Sequence, residues 1–357
     1  MKIAFILPSL ANTGPAIVVR DLCTGLAQAG HVCKVFYFDD EAELGMPCPT
    51  ERIAFRKAID FAAWDIVHSH MLRPDVYVWY HTRGNKYPHT AFITTLHNPI
   101  DARILRLTYS IPKSLLSQWA WKIALPRFDR VIALNGALRQ NYLKTVAAER
   151  LAIIFNGRDI RPGEPADEGD KYRILDLKQR YTVIGTTSGI NRRKGLEQMV
   201  RALADLPGYA FVAVGDGPEL GNLQALADEL GVAERCLWTG YRDDAANYQP
   251  LFDIFVMCTR SEGFPLALIE AAGHGIPAVL SDIPVLRSVI SDREAAFYEL
   301  DNIASLVSAV GKVAAHRKQY ADRIHNYYRA TLTLEAMTRA YLDVYQAVLQ
   351  AKRGHAG

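Results

Sequence analysis

Two carboxylates, Glu262 and Glu270, stand in the stretch of this chain best equipped for chemistry, SEGFPLALIEAAGHGIP at residues 261–277. Between Phe264 and Leu280 only Glu270 and His274 carry ionisable side chains. Pro265 suits the first turn of a helix, where its missing N–H costs nothing, and Gly273, Gly275 and Pro277 mark the end. Glu270 therefore falls inside a short, nearly all-apolar helix. Such a helix is buried, and a buried carboxylate is costly unless donors satisfy it or it takes up a proton. Either a neighbouring Arg or backbone amide holds Glu270, or a hydroxyl-rich ligand donates to it while Glu262 reaches the same ligand from the preceding loop. The first N–H groups of a helix lack internal acceptors, so the amides around Gly263 to Leu266 suit an anion. Hydroxyl acceptors beside an anion site describe a nucleotide sugar.

The elements that must position these residues are legible as an alternation. Short apolar runs, KIAFIL, VCKVFYF, WDIVHS, AFITTLH, RVIALN and LAIIFN, are followed by TVIGTTS, YAFVAVG, CLWTG, DIFVMC, PAVLS and AAFYEL. Helical patterns such as Ala16 to Ala29 and Glu219 to Leu230 separate them. Strands apolar on both faces with intervening helices imply parallel sheets covered on both sides. The expected class is α/β, with two doubly wound parallel-sheet Rossmann-like domains facing each other across a cleft that holds the ligand. The seam is expected in RDIRPGEPADEGDKYR, residues 158–173, giving domains of 1–165 and 170–334. A last helix, 335–357, is expected to cross back onto the first domain and to fray at AKRGHAG.

A chain of 357 residues suits two domains of about 150 residues each. Its net charge of +3 argues against a nucleic-acid binder. No run of apolar residues is long enough to span a bilayer, and MKIAFILPSL, interrupted by Pro8, reads as a first strand rather than a signal peptide. The five cysteines show no CxxC pairing and read as reduced, buried thiols of a cytoplasmic protein. A Walker loop, a GxGxxG fingerprint and an Asp-x-Asp metal motif are all missing from the sequence, and VGDGPEL at 214–220 lacks the third glycine of a dinucleotide site.

Glu262 and Glu270, with seven residues between them, make the chain resemble glycosyltransferase family 4, retaining enzymes of GT-B architecture. Supporting matches are Gly14 after the first strand, GLAQAGHVCKVF, WDIVHSH, LNGALRQNYL, IIFNG, RRKG and VGDGPE. The resemblance implies a donor substrate that is a nucleoside-diphosphate sugar, an acceptor that is a saccharide or lipid-linked hydroxyl, and no metal or other cofactor. Glu270 would bind the ribose, Glu262 would orient the donor sugar, and Gly263, Phe264, Pro265 and Leu266 would line sugar and diphosphate. Lys194 would neutralise the leaving diphosphate, Gly14 would approach donor or acceptor, and His97 would serve as the acceptor-side catalytic histidine. His68 and His70 either orient loops or are satisfied core and surface histidines.

The chain departs from the family where SGINRRKG has Gly189 in place of an expected arginine, so Arg192 or Arg193 would reach the diphosphate instead. It departs again at SDIPVLRS, where a glycine pair and a glutamate are usual. Residues 103–130 mix Arg103, Arg106, Lys113, Lys122, Arg127 and Arg130 with Leu105, Leu115, Leu116, Trp119 and Trp121, a composition that can lie on an anionic membrane surface. The alternative is a helix pair packed into the first domain. The implied activity is retaining glycosyl transfer in bacterial surface polysaccharide or glycolipid synthesis, at the inner face of the plasma membrane. Its rivals are a sugar-nucleotide epimerase or hydrolase, and a nucleotide-sugar-binding partner without catalysis.

Overall fold

Each apolar run forms a strand, because β-branched and aromatic residues accept the pleated backbone once helices cover both faces. The structure, a computed structural model, describes residues 1–84, 87–100 and 110–356. It divides into two units, Met1–Asp159 with Thr333–Gly357, and Ile160–Leu332. The limits expected at 165, 170 and 334 move to these positions because Arg158 and Thr333 form a parallel bridge within the first unit.

The first unit holds a seven-stranded sheet. Its strands are β1 (Lys2–Leu7), β2 (Val32–Tyr37), β3 (Thr50–Arg52), β4 (Ile66–His70), β5 (Ala91–Leu96), β6 (Arg130–Ala133) and β7 (Leu151–Ile153). They lie in the order β3-β2-β1-β4-β5-β6-β7, and every pair is parallel. β3 was not expected: its three residues are all exposed and carry no apolar signal. The helix Leu334–Ala356 packs on β5 and on the helix Gly14–Gln28. Tyr341 and Tyr345 on that helix are fully buried. The helix runs on to Ala356, so the tail expected to fray is helical to that residue.

The second unit holds β8 (Thr182–Thr187), β9 (Tyr209–Val214), β10 (Cys236–Gly240), β11 (Ile254–Met257), β12 (Ala278–Ser281) and β13 (Ala296–Tyr298). Their order is β10-β9-β8-β11-β12-β13, again all parallel. Each sheet reverses its winding once, between β1 and β4 in the first unit and between β8 and β11 in the second. Loops at the carboxyl ends of strands at such a reversal are where open α/β sheets take ligands. No helix among the described residues is long and apolar enough to cross a membrane.

Candidate functional site

The loops that leave β8 and β11 carry the charged residues singled out from sequence. After β8, Arg192, Arg193 and Lys194 form a 3-10 turn. After β11 comes Glu262, and Lys194 Nζ donates to its Oε1 at 2.5 Å while Arg193 Nη1 donates to its Oε2 at 3.2 Å. Burial pushes the Glu262 carboxyl up, but the two cations and their hydrogen bonds outweigh burial and hold it below the ordinary carboxylate value. One ionised carboxylate thus faces two cations, and the cluster keeps a net positive charge.

Backbone ties between the two loops fix this cluster. Arg260 N–H and the Thr259 hydroxyl both donate to the Arg193 carbonyl, at 2.8 and 3.2 Å. The Gln198 amide donates to the carbonyls of Gly195 and Cys258 at 3.1 and 3.0 Å. Gly195 has φ +62°, and a Cβ there would lie 2.4 Å from the Cys258 carbonyl oxygen, so the turn that aims Lys194 requires glycine. Arg192 is turned away: its side chain is 88% exposed and pairs with Glu219 at 3.1 Å. Of the two arginines expected to stand in for the one missing at Gly189, the structure therefore brings only Arg193 to the cluster. Gly189 itself has room, since a Cβ would meet nothing nearer than 3.7 Å. In VGDGPEL, Gly217 lets the loop after β9 press against the Ile190 carbonyl, 2.2 Å from where a Cβ would stand.

Glu270 lies on the helix Leu266–Gly273, which buries Leu268 to Ala272. Pro265 is not the first helical residue but the N-cap, where its carbonyl accepts from Leu268 N–H at 3.0 Å. The helix ends as expected: Gly275 has φ +68°, and Ile276 N–H donates back to Ala271 at 2.8 Å, as in a Schellman stop. Phe264 and Pro265 are buried, while Gly263 and Leu266 are half-buried. Glu270 is buried and accepts from Gln249 Nε2 at 3.3 Å. That amide also donates to the Thr187 hydroxyl at the end of β8, at 2.8 Å, which ties helix and strand together.

In the first unit, Gly14 opens the helix Gly14–Gln28 with Pro15 in its first turn. His68 lies mid-way along β4, His70 is its last residue, and His97 follows β5. His70 Nδ1 lies 2.9 Å from His97 Nε2. His68 meets the hydroxyls of Tyr345 and Thr95 at 2.7 and 2.9 Å. Burial drives the His97 imidazole down to about 3, and burial together with the nearby His97 does the same to His68. The Tyr142 hydroxyl donates to the carbonyls of Leu96 and Asn98 at 3.0 and 2.9 Å, which pins the backbone on either side of His97.

Comparison with known proteins bears on what such clusters serve. Residues 169–330 match the family described as Glycosyl transferases group 1, and residues 13–161 match Glycosyltransferase Family 4. The chain belongs to glycosyltransferase family 4. It is 25% identical over 97% of its length to the O-antigen biosynthesis glycosyltransferase WclY of Escherichia coli, covering 98% of that protein. It is 23% identical over 82% of its length to the UDP-Gal:alpha-D-GlcNAc-diphosphoundecaprenol alpha-1,3-galactosyltransferase of Escherichia coli, covering 79% of that protein. Among solved structures, HepE of Anabaena in complex with UDP superposes with a TM-score of 0.80 at 17% identity, with 97% of this chain and 100% of that chain covered. The fold is GT-B.

In this glycosyltransferase, family resemblance pointed to Lys194, Glu262, Glu270 and His97 but not to Gln249, Gln198 or Asp75. Asp75 is fully buried and accepts from Ser69, Thr94 and the Trp121 indole at 2.6, 2.7 and 3.0 Å. Burial raises its carboxyl to about 7, against the pull of those three donors. Trp121 is thereby committed to the interior. Arg127 is likewise engaged, by the Thr82 hydroxyl at 2.6 Å and by the Phe92 ring at 4.0 Å. Arg103, Leu105 and Arg106 lie outside the described residues. What faces solvent on the helix Ile111–Ala124 is an apolar strip of Ile111, Leu115, Leu116 and Trp119, with Lys113 and Lys122 exposed, while Ser114 and Ser117 are buried.

Proposed function

We propose that this glycosyltransferase moves a sugar from a nucleoside diphosphate to a hydroxyl of a saccharide or lipid-linked acceptor, with retention at the anomeric carbon. The observation that carries the reading is the convergence of Lys194 and Arg193 on Glu262 where the second sheet reverses, in the loop that leads into the helix bearing Glu270. A diphosphate brings negative charge to the two cations and to the amides at the helix start. Ribose hydroxyls add donors to Glu270. Uridine diphosphate is the nucleotide to test first, because a relative is named for a UDP-linked donor and HepE is solved with UDP.

In the proposed course the anomeric carbon–phosphate oxygen bond breaks and the acceptor oxygen bonds the carbon from the same face. The acceptor proton passes to the departing phosphate oxygen. Lys194, Arg193 and the helix amides stabilise the charge that grows on the leaving group, and these cations take the part that a metal ion plays elsewhere. His97 acts on the acceptor side. The names of the relatives support an acceptor among bacterial O-antigen precursors. The apolar strip of Ile111, Leu115, Leu116 and Trp119 supports a peripheral position on the inner face of the membrane, where such lipids are met.

Incubation with a panel of UDP-, GDP- and ADP-sugars and an undecaprenyl-diphosphate-linked sugar, in the presence of EDTA, tests the reading. An α-linked product from an α-configured donor is expected. An inverted product, or nucleotide release with no acceptor modified, would refute it.

A further inference from the structure

Three neutral imidazoles meet at the carboxyl ends of β4 and β5, and they are not equivalent. His68 is satisfied at both ring nitrogens by Tyr345 and Thr95. His70 is fully buried, with Nδ1 2.9 Å from His97 Nε2 and its own Nε2 without a partner among the described residues. His97 is the member with some exposure, 8%.

Each neutral ring has one N–H and one lone pair, so a single proton lies between His70 and His97. Were His97 Nε2 to supply it, the proton of His70 would sit on a buried Nε2 that has no acceptor. When His70 Nδ1 supplies it, only a lone pair is left there, and an orphaned buried N–H is the rarer defect. We infer that His70 is a positioning residue whose Nδ1–H donates to His97 Nε2 and fixes His97 as the Nδ1–H tautomer, so that His97 offers substrate a hydrogen-bond donor and no basic lone pair. The assignment fits burial, which holds both rings neutral. A donor in that place is complementary to a hydroxyl or phosphate oxygen. His97 then moves no proton, and the acceptor proton is left to the departing phosphate. The inference rests on the reading of His97 as the residue that faces substrate.

Long-range proton–nitrogen correlation spectra of the full chain labelled with ¹⁵N-histidine report the tautomer directly, with His97 assigned by the signals lost in His97→Gln. At neutral pH without substrate, His97 is expected to be protonated at Nδ1 and bare at Nε2. His70→Phe keeps the bulk but removes the donor, and should lower kcat by roughly tenfold, about the worth of one hydrogen bond to bound ligand, at unchanged donor KM. His70→Asn, whose amide nitrogen can take the place of Nδ1, should restore most of that loss. A wild-type spectrum with Nε2 protonated overturns the assignment even if His70→Phe does not fold, and so does wild-type kcat in a folded His70→Phe. Full activity of His97→Gln overturns instead the reading of His97 as substrate-facing.

Discussion

Lys194 and Arg192 are two positions apart in one basic turn, yet their surroundings assign them different work. Lys194 is largely covered and bonds Glu262, whereas Arg192 stands in solvent beside Glu219. Exposed ion pairs contribute little, while a preorganised cation on a leaving group is worth roughly 10²–10³ in kcat. Lys194→Ala is therefore expected to cut kcat by about that factor, and Arg192→Ala to change it by less than about twofold. Steady-state rates with a UDP-sugar donor check both, and equal losses would contradict the assignment. Glu262 and Glu270 stood out as charged residues around an apolar run, whereas Lys194 was singled out by the family resemblance. The choice of Arg193 over Arg192, and the Gln249 donor to Glu270, were not legible, because contacts between loops far apart in sequence leave no local pattern.

Two loops and two strand ends position these side chains, and glycine decides how. Gly195 combines φ +62° with the close Cys258 carbonyl, whereas Gly189 has space around it. Gly195→Ala is expected to destabilise the second unit by at least about 1–2 kcal/mol in urea unfolding, and Gly189→Ala to be neutral or stabilising by up to about 1 kcal/mol. The reverse order would show that the Lys194 turn is not built on this contact. In the first unit, His68, His70 and His97 are buried neutral, with His68 and His97 held at about 3. Between the unfolded value near 6.5 and that folded value, the unfolded chain binds more protons, so stability must fall as the pH drops. Each such histidine contributes a slope of about 1.4 kcal/mol per pH unit below roughly 6. Urea midpoints at pH 7 and pH 5 measure it, and a smaller drop is expected in His97→Gln. The strands around these loops were readable as β-branched runs, but the short, exposed β3 could not be, since three polar residues at a sheet edge carry no periodicity.

For the molecule as a whole, the proposed lipid-linked acceptor calls for a surface that can meet a membrane, and the first unit presents one. The helix Ile111–Ala124 exposes Leu116 and Trp119 at 63% and 61% while burying serines, the opposite of what packing into a core produces. Burial of each such side chain in the interfacial region contributes about 1.5–3 kcal/mol, and each nearby lysine about 1 kcal/mol on an anionic surface. Wild-type protein is expected to float with phosphatidylglycerol vesicles, and Leu116→Ser with Trp119→Ser to lower the partition coefficient at least about tenfold. Equal flotation of both would remove the helix as the contact. Composition pointed to this region from sequence, but it could not separate the outward Trp119 from the inward Trp121, which only the Asp75 hydrogen bond decides. The central claim is that the cluster of Arg193, Lys194 and Glu262, with the helix that carries Glu270, takes the diphosphate and ribose of a sugar donor. A crystal structure of the protein with UDP bound tests it most directly. The expected result is diphosphate against Lys194, Arg193 and the amides around Gly263 to Leu266, with ribose hydroxyls on Glu270. Nucleotide held elsewhere, with Lys194 still bonded only to Glu262, would contradict it.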